Sequence, residues 1–293
     1  MIALLPRVDR DRRVALLLSG PAGLILLALF ALPLALLFAV SLQAPPGGPP
    51  GGGPGLSLAA YERLLTTPHH LGAVWNSLKL SLAVTIITLL VGYPASFAIA
   101  RAKGGWRSLM LGCLFLPLAA SVIVKAFAWT ILLRSSGVIN TVLLGLGIVD
   151  APVRMIFTET ALIVGAVNVF LPFMILPVFA VVAQLDPRLS EAAATLGANP
   201  VAGFLKVTLP VTMPGIVAGV ALVSSLSVSA YVVPTLLIGE RYPTLASTIA
   251  KAYLLSREPA FGAAAGVVLL VIAVAIVVLS SRVSGRVGRE GRA

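Results

Sequence analysis

Charged side chains are scarce in this sequence of 293 residues, of which only 11% are Asp, Glu, Lys or Arg. A soluble globular domain carries about 25% charged residues and about 45–50% apolar ones. Here 59% of the residues are hydrophobic, and the mean hydropathy is +1.05. This composition excludes an intrinsically disordered chain, which requires low hydrophobicity, and it is typical of a protein embedded in a membrane.

Cysteine and histidine are also nearly absent, which limits the chemistry that the chain can perform. The single cysteine, Cys113, excludes a disulfide framework and a zinc site built from several cysteines. The two histidines, His69 and His70, are adjacent and lack a carboxylate cluster, so they do not predict a metal site. No nucleophile, histidine and acid fall together on one side of the membrane spans predicted below. We therefore expect no catalytic residues and no cofactor.

Long apolar stretches are abundant instead. A membrane-spanning helix needs about 20 predominantly apolar residues. Six stretches satisfy this test: 14–42, 76–100, 108–133, 159–184, 210–238 and 260–281. We therefore predict an all-α membrane protein with six transmembrane helices. The first stretch is much longer than the apolar region of a cleaved signal peptide, which has about 7–15 residues, so we predict that it is retained.

The basic residues are distributed unevenly between the two sides of these spans. Thirteen of the 21 lysines and arginines fall on one side, six fall on the other, and two, Lys79 and Lys125, lie inside spans. Because loops rich in Lys and Arg remain in the cytoplasm, both termini are predicted to be cytoplasmic. This distribution accounts for the net charge of +11 without a nucleic-acid partner.

The segments between the spans predict how the chain is divided. The divisions are a cytoplasmic N-terminus (1–13), a peripheral span (14–42), an extracytoplasmic Pro/Gly linker with a short helix (43–75), a core of five spans (76–281) and a basic cytoplasmic tail (282–293). Short surface helices are predicted at 58–65, at 137–147 and within 239–258.

The loop over 185–209 predicts a short cytoplasmic helix, a break and a second helical turn. Pro187 suits the first turn of a helix, and the alanine run after Ser190 favours helix. Gly197 is predicted to stop this helix, and Pro210 to end the turn that follows. A small, Ala-rich and exposed helix between two spans is suited to contact another protein.

This loop also carries a spaced motif, made of Glu191, Ala192, Ala193, Gly197, Leu209 and Pro210. The motif resembles the EAA signature of the inner-membrane permease subunits of ABC importers, with Val207 in place of the isoleucine of that signature. Leu116-Pro117, Trp129 and the region from Tyr231 to Ala250 resemble the spermidine/putrescine branch of the same family.

The resemblance implies a type I ABC-importer permease (MetI-like) fold in a bacterial inner (cytoplasmic) membrane. It implies three partners: a cytoplasmic ABC ATPase dimer, a second permease subunit that is expected to be a paralogue, and an extracytoplasmic substrate-binding protein. The chain has no G-x-x-x-x-G-K-[ST] loop, so ATP hydrolysis is expected on the ATPase partner. Closure of the ATPase dimer is expected to move the helix from Glu191 to Gly197 and to switch the bundle between inward-open and outward-open. Gly197→Asp is therefore expected to abolish transport.

Polar residues in and beside the spans are candidates for a translocation path. They are Lys125, Trp129, Asn168, Ser225, Ser229 and Tyr231. An intramembrane charge such as Lys125 indicates function, unless the side chain extends to the outer interface. Asn168 and the serines either line the path or form hydrogen bonds between helices. Glu159 could pair with Arg154 or Arg134.

No acidic residue is predicted in the middle of a span, and this bears on the cargo and on the mechanism. The family resemblance implies a polyamine or a related small charged solute. Without an acid in the membrane, selectivity is expected to rest mainly on the binding protein or on the second permease. The alternative function is an ion-coupled secondary transporter, which would need intramembrane acids or an internal repeat.

Overall fold

The computed structural model describes residues 7–44, 55–186 and 188–290. Their regular secondary structure is helical, apart from one isolated antiparallel β-bridge between Gln43 and Leu56. The helices, in chain order, are α1 (Arg7–Ser41), α2 (Ala59–Thr66), α3 (Pro68–Arg101), α4 (Gly104–Ala119), α5 (Val122–Leu132), α6 (Val138–Gly145), α7 (Glu159–Val182), α8 (Arg188–Thr195), α9 (Pro200–Gly203), α10 (Leu209–Val228), α11 (Val232–Leu237), α12 (Leu245–Leu254) and α13 (Pro259–Glu290). Pro187 and most of the Pro/Gly linker lie outside the described residues.

Five of the described helices, α1, α3, α7, α10 and α13, contain stretches long and apolar enough to cross a membrane. A sixth span results if α4 and α5 are counted together, although they meet at an angle of 102°. The prediction of an all-helical membrane protein is confirmed. The short helices predicted in the loops are present as α2, α6 and α12.

The helix predicted over 108–133 is not continuous, because the chain bends sharply in its middle. α4 ends at Ala119, and Ala120 has extended backbone angles (φ −81°, ψ 137°). Ser121 then caps a new helix, since its Oγ accepts the backbone N–H of Ile123 at 3.3 Å. Both halves are apolar, so hydropathy alone does not reveal the bend.

The span predicted over 210–238 is also too long. α10 ends at Val228, and the separate helix α11 packs against α5 and α7. The contact with α7 is so close that a Cβ on Gly165 would overlap the side chain of Leu237. α11 is therefore a short inserted element, not the end of a span.

The core is formed by α3, α7 and α10. Val84, Met174 and Val223, one from each helix, are fully buried there. α1 packs along α13, and no side chain between Gly23 and Val40 is buried.

The two ends of this bundle differ. α3 and α7 finish at the same end of the bundle, and α10 begins there. We call this end the loop face, because residues 185–209 lie there. At the other end, the opposite face, α2 and α12 pack against the start of α13 through Leu64, Leu245 and Phe261. Which face is cytoplasmic stays a prediction.

Candidate functional site

The loop over 185–209 holds two short helices, α8 and α9, whose starts are capped locally. Asp186 Oδ1 accepts the backbone N–H of Arg188 at 2.9 Å, which caps α8. Asn199 Oδ1 accepts the backbone N–H of Ala202 at 2.7 Å, which caps α9. The predicted arrangement of helix, break and helix is therefore confirmed.

The turn between α8 and α9 depends on Gly197. Its φ is +83°, in the left-handed region that a residue without a Cβ adopts at little cost. The Gly197 N–H donates to the Ala194 carbonyl, and the Ala198 N–H to the Ala193 carbonyl, both at 3.0 Å. This pair of hydrogen bonds defines a Schellman motif. A Cβ on Gly197 would meet nothing within 4 Å, so a side chain there would strain the backbone without a collision.

The second helix does not end at Pro210, contrary to the prediction. The backbone continues from α9 through a π-helical turn, Phe204–Thr208, into α10. Proline lacks an N–H and crowds the carbonyl four residues before it. In the π turn the Leu209 N–H donates to the Phe204 carbonyl, five residues back, so the hydrogen-bond register shifts just before the proline. The loop and the span thus form one helical segment, Pro200–Val228.

The motif residues divide between exposed and packed positions. Glu191 and Ala192 are exposed on α8, whereas Ala193 is buried. The Ala193 Cβ lies 4.0 Å from where a Cβ on Gly203 would stand, so small residues let α8 and α9 approach closely. Leu209 and Pro210 begin α10. The motif therefore combines an outward surface with the joint that holds the two short helices together.

Large apolar side chains are exposed around this motif. They are Leu189, Leu196, Val201, Phe204 and Leu205. Leu196 is the extreme case, with 88% of its surface exposed. Large apolar side chains that are exposed along one short segment indicate a contact with protein or with membrane. Because Glu191 lies in the same segment and is also exposed, the segment is suited to a protein partner.

Tyr93 connects α3 to the start of α10. Its hydroxyl lies 3.0 Å from Thr212 Oγ1, and its ring centroid lies 5.9 Å from that of Phe204, edge to face. The Thr212 hydroxyl donates its hydrogen to the Thr208 carbonyl at 2.9 Å, so Tyr93 is the donor to Thr212. This pair was not predicted, because residues so far apart in the chain give no local signal.

Tyr93→Phe is expected to lower the free energy of unfolding by about 0.5–1.5 kcal/mol, because it removes one hydrogen bond while Thr212 keeps its backbone partner. Thermal unfolding of the purified protein measures the change. Tyr253→Phe is the matched control, since Tyr253 is exposed and no hydrogen bond of its hydroxyl is found within the described residues. Equal destabilisation by both variants would contradict the assignment.

Three glycines bring α3, α7 and α10 into close contact around Met174. A Cβ on Gly92 would lie 3.0 Å from Met174 Cγ, and one on Gly219 would lie 2.7 Å from Met174 Sδ. A Cβ on Gly215 would lie 2.8 Å from the carbonyl oxygen of Pro177. Gly215 and Gly219 have the G-x-x-x-G spacing of closely packed transmembrane helices. This spacing is visible in the sequence alone and is a signal from which the close contact could have been predicted.

The six polar candidates for a translocation path lie on neighbouring elements, and the described hydrogen bonds link two of them. Lys125 and Trp129 are on α5, Asn168 on α7, Ser225 and Ser229 at the end of α10, and Tyr231 before α11. α5 packs against both α7 and α11. Within the described residues, the one hydrogen bond between two of the six runs from Ser229 Oγ to the Ser225 carbonyl, at 3.0 Å.

Two other serines of α10 serve helix packing. Ser81 Oγ on α3 donates to the Ser224 carbonyl at 2.8 Å, and Ser227 Oγ donates to Ser81 Oγ at 3.1 Å. These serines therefore face α3, whereas Ser229 is exposed.

Asn76 and Ser77 fasten the start of the core to the loop before α12. Asn76 Nδ2 donates to the Pro243 carbonyl at 3.0 Å, and Ser77 Oγ accepts the Leu245 N–H at 2.9 Å. Tyr242 donates its hydroxyl to the Asn76 carbonyl at 3.1 Å. Burial raises the pKa of Tyr242 to about 12, so this hydroxyl remains a donor at any physiological pH.

Glu159 pairs with Lys79, and not with Arg154 or Arg134. Lys79 Nζ lies 2.7 Å from Glu159 Oε2. α3 and α7 run parallel and both begin at the opposite face, which brings these distant residues together. The partners expected from the sequence, Arg154 and Arg134, are both close to Glu159 in the chain.

In the described residues, no group of three potential metal ligands is found.

Lys79→Gln is expected to lower the free energy of unfolding by less than about 1 kcal/mol, because both side chains are about half exposed (49% and 52%) and salt screens the pair. Thermal unfolding at low and high salt measures this. The difference from wild type should vanish at high salt, and a large, salt-independent loss would contradict a surface ion pair.

Comparison with known proteins agrees with this architecture. The family described as a binding-protein-dependent transport system inner membrane component matches residues 92–289. The spermidine/putrescine transport system permease protein PotB of Haemophilus influenzae is 37% identical over 226 residues, which cover 77% of this chain and 79% of that protein. PotB of Escherichia coli is 34% identical over 216 residues, covering 74% of this chain and 78% of that protein.

The fold is also found in a crystal structure. A bacterial ABC transporter involved in the import of the acidic polysaccharide alginate superimposes with a TM-score of 0.75 and 19% identity, covering 96% of this chain and 99% of that chain. The ABC-permease fold expected from the sequence is therefore confirmed. With the family match extending over more than half of its length, the chain belongs to the inner membrane components of binding-protein-dependent transport systems.

Proposed function

We propose that this permease imports a polyamine or a related small charged solute, and that its 185–209 loop receives the movement of a cytoplasmic ABC ATPase dimer. The observation that carries the coupling role is the continuity of helical backbone from the loop into α10. The exposed helix bearing Glu191 is thereby joined to a spanning helix through one hydrogen-bonded turn at Gly197 and the continuous helical segment Pro200–Val228.

The mechanism follows from these attachments. Movement of α8 passes through the turn at Gly197 to α9 and then directly to α10. α10 packs on α7 at Gly215 and Gly219 and is tied to α3 through Tyr93. A displacement at the loop face would therefore move one spanning helix against its two neighbours. A rearrangement of packed helices between two states is what alternating access requires.

The cargo is proposed from the relatives. PotB of Haemophilus influenzae and of Escherichia coli are named as spermidine/putrescine permeases, and each aligns with about three quarters of this chain. We place the path beside α5, α7 and the end of α10, where Lys125, Trp129, Asn168, Ser225, Ser229 and Tyr231 lie. Ser225 Oγ is enclosed and has no hydrogen-bond partner within the described residues, which is consistent with a polar group that serves a passing solute.

The partners and the orientation are part of the same proposal. The partners are the ATPase dimer, a second and paralogous permease, and an extracytoplasmic binding protein. The loop face is proposed to be cytoplasmic in a bacterial inner membrane. The uneven distribution of Lys and Arg supports this orientation.

Uptake of radiolabelled spermidine into proteoliposomes that contain the assembled importer tests the proposal. We expect uptake that requires ATP and the binding protein, stops with vanadate, and persists when ionophores collapse ion gradients. Uptake driven by an ion gradient without the ATPase would favour the secondary transporter instead. ATP hydrolysis that responds to the binding protein but not to spermidine or putrescine would reject the cargo and retain the coupling role.

A further inference from the structure

A basic cleft lies at the loop face beside the motif helix. Its volume is about 690 Å³, within the range of about 300–1,000 Å³ that is usual for ligand sites. Its charged lining consists of Arg101, Lys103, Arg107 and Asp186. Apolar side chains such as Val182 and Leu185 form much of the remaining wall. The cleft therefore offers three cations against one carboxylate, next to an apolar surface.

The cations are brought together by the hairpin between α3 and α4. α3 ends at Arg101, and α4 begins at Gly104, whose φ of +59° helps to reverse the chain. The Arg101 guanidinium carbon lies 5.5 Å from the ring centroid of Phe97, and that of Arg107 lies 5.8 Å from the ring of Phe179. Stacking on aromatic rings holds a guanidinium in place while its edge can still donate hydrogen bonds.

In the part of the chain that the structure describes, none of these three cations forms an ion pair with a carboxylate. The three ion pairs found there all lie at the opposite face. Asp186, the one acid of the cleft, already accepts the Arg188 N–H at 2.9 Å. A second cleft on the other side of the loop, of about 750 Å³, has Arg101 as its one charged lining residue. The excess of positive charge is thus particular to the first cleft.

The exposed side chains of α4 indicate that the cleft lies near the level of a membrane interface. Trp106 precedes Arg107 in the first turn of α4, and 61% of its surface is exposed. Tryptophan is enriched at the level of the lipid headgroups. Further along α4 the exposed side chains are apolar, as at Leu109 and Leu116. Cations at the headgroup level, with apolar wall beside them, match the two chemical parts of a phospholipid.

We propose that this cleft binds the headgroup of an anionic phospholipid such as phosphatidylglycerol. Arg101 and Arg107 contact the phosphate, since guanidinium and phosphate oxygens match in geometry, and Lys103 adds a third positive charge. The excess of cations favours an anionic lipid over a zwitterionic one. The inference depends neither on the cargo nor on which face is cytoplasmic.

The bound lipid would act on coupling. The same cleft is lined by the end of α7 and by Val207 and Thr208 of the π turn. A headgroup seated there would touch the α3–α4 hairpin, α7 and the junction of the loop with α10 at once. Anionic lipid is therefore expected to stabilise the arrangement through which the loop moves the bundle.

Lipid binding to the full-length permease tests this site directly. Phosphatidylglycerol or phosphatidylcholine is titrated into the purified protein, and retained lipid is counted by native mass spectrometry. We expect phosphatidylglycerol to be retained in preference. Lys103→Gln should weaken its binding about fivefold, which corresponds to about 1 kcal/mol per cation near a membrane surface. The double variant Arg101→Gln/Arg107→Gln should weaken it by about 25-fold.

Lys206→Gln is the matched control, because Lys206 is exposed on the same face but does not line the cleft. Equal losses from Lys103→Gln and Lys206→Gln would overturn the site and indicate general surface charge. Displacement of the lipid by inorganic phosphate alone would indicate a small-anion site. Loss of co-purified ATPase from the double arginine variant, with lipid binding unchanged, would show that an acidic protein segment occupies the cleft. Failure of polyamine transport would alter none of these outcomes.

Discussion

Replacement of Gly197 by valine is expected to abolish ATP-driven uptake while the protein remains folded in the membrane. Gly197 has a φ of +83°, and a residue with a Cβ adopts this region at a cost of about 1–2 kcal/mol. The cost is highest for β-branched residues. The chain can relieve the strain by leaving this conformation, which breaks the hydrogen bonds from Gly197 and Ala198 to α8. α8 would then no longer be held at a fixed angle to α9.

Valine is a stronger test than the aspartate suggested by the sequence alone. Asp and Asn enter the left-handed region more readily than other residues with side chains. Gly197→Asn is therefore expected to retain part of the uptake. ATP hydrolysis stimulated by the binding protein, measured beside uptake in proteoliposomes, distinguishes lost coupling from lost assembly.

Gly147 provides a matched control at another site. It follows α6 with a φ of +66°. The Gly147 N–H donates to the Leu144 carbonyl and the Ile148 N–H to the Leu143 carbonyl, so the same Schellman motif ends α6. Gly147→Val imposes the same backbone strain outside the 185–209 loop, and uptake should persist. Equal loss of uptake in both variants would contradict a specific coupling role, and normal uptake by Gly197→Val would exclude it.

Features encoded within a few residues were predictable from the sequence, as the 185–209 loop illustrates. Asp186, Gly197 and Asn199 cap or end helices through bonds to residues at most five positions away. The residue types therefore specify the turn before any tertiary contact forms. The apolar spans were predictable for a similar reason, since length and hydropathy are properties of the segment itself.

Features that depend on how helices are placed were not predictable in the same way. The pairs Lys79–Glu159 and Tyr93–Thr212 exist because α7 runs parallel to α3 while α10 runs antiparallel to it. Hydropathy gives neither the direction of neighbours nor the bend after Ala119. Pro210 was predicted to end the second helical turn, because a proline normally interrupts a helix. The π turn before it shifts the hydrogen-bond register, so the helix continues through Pro210.

Gly215→Leu is expected to lower the stability of the folded permease strongly. A Cβ at this position would lie 2.8 Å from the Pro177 carbonyl oxygen and 3.0 Å from the Val178 Cα, both backbone atoms of α7. A change of rotamer cannot relieve such a clash, so α7 and α10 must separate. Overpacking of a well-packed core costs about 1–3 kcal/mol or more, which is a large share of a marginal stability of about 5–15 kcal/mol.

The yield of monodisperse protein in detergent and its thermal midpoint measure this effect. Gly219→Ala should be milder, because the atom nearest its Cβ is Met174 Sδ, in a flexible side chain that can adjust, whereas the nearest backbone atom, the Met174 carbonyl oxygen, is 3.2 Å away. Gly112→Leu on α4 is the control, since a Cβ there meets nothing within 4 Å, and it should leave yield and midpoint unchanged. Wild-type stability in Gly215→Leu would show that α10 and α7 are not in close contact, and the route proposed from the loop to the core would then lack its main contact.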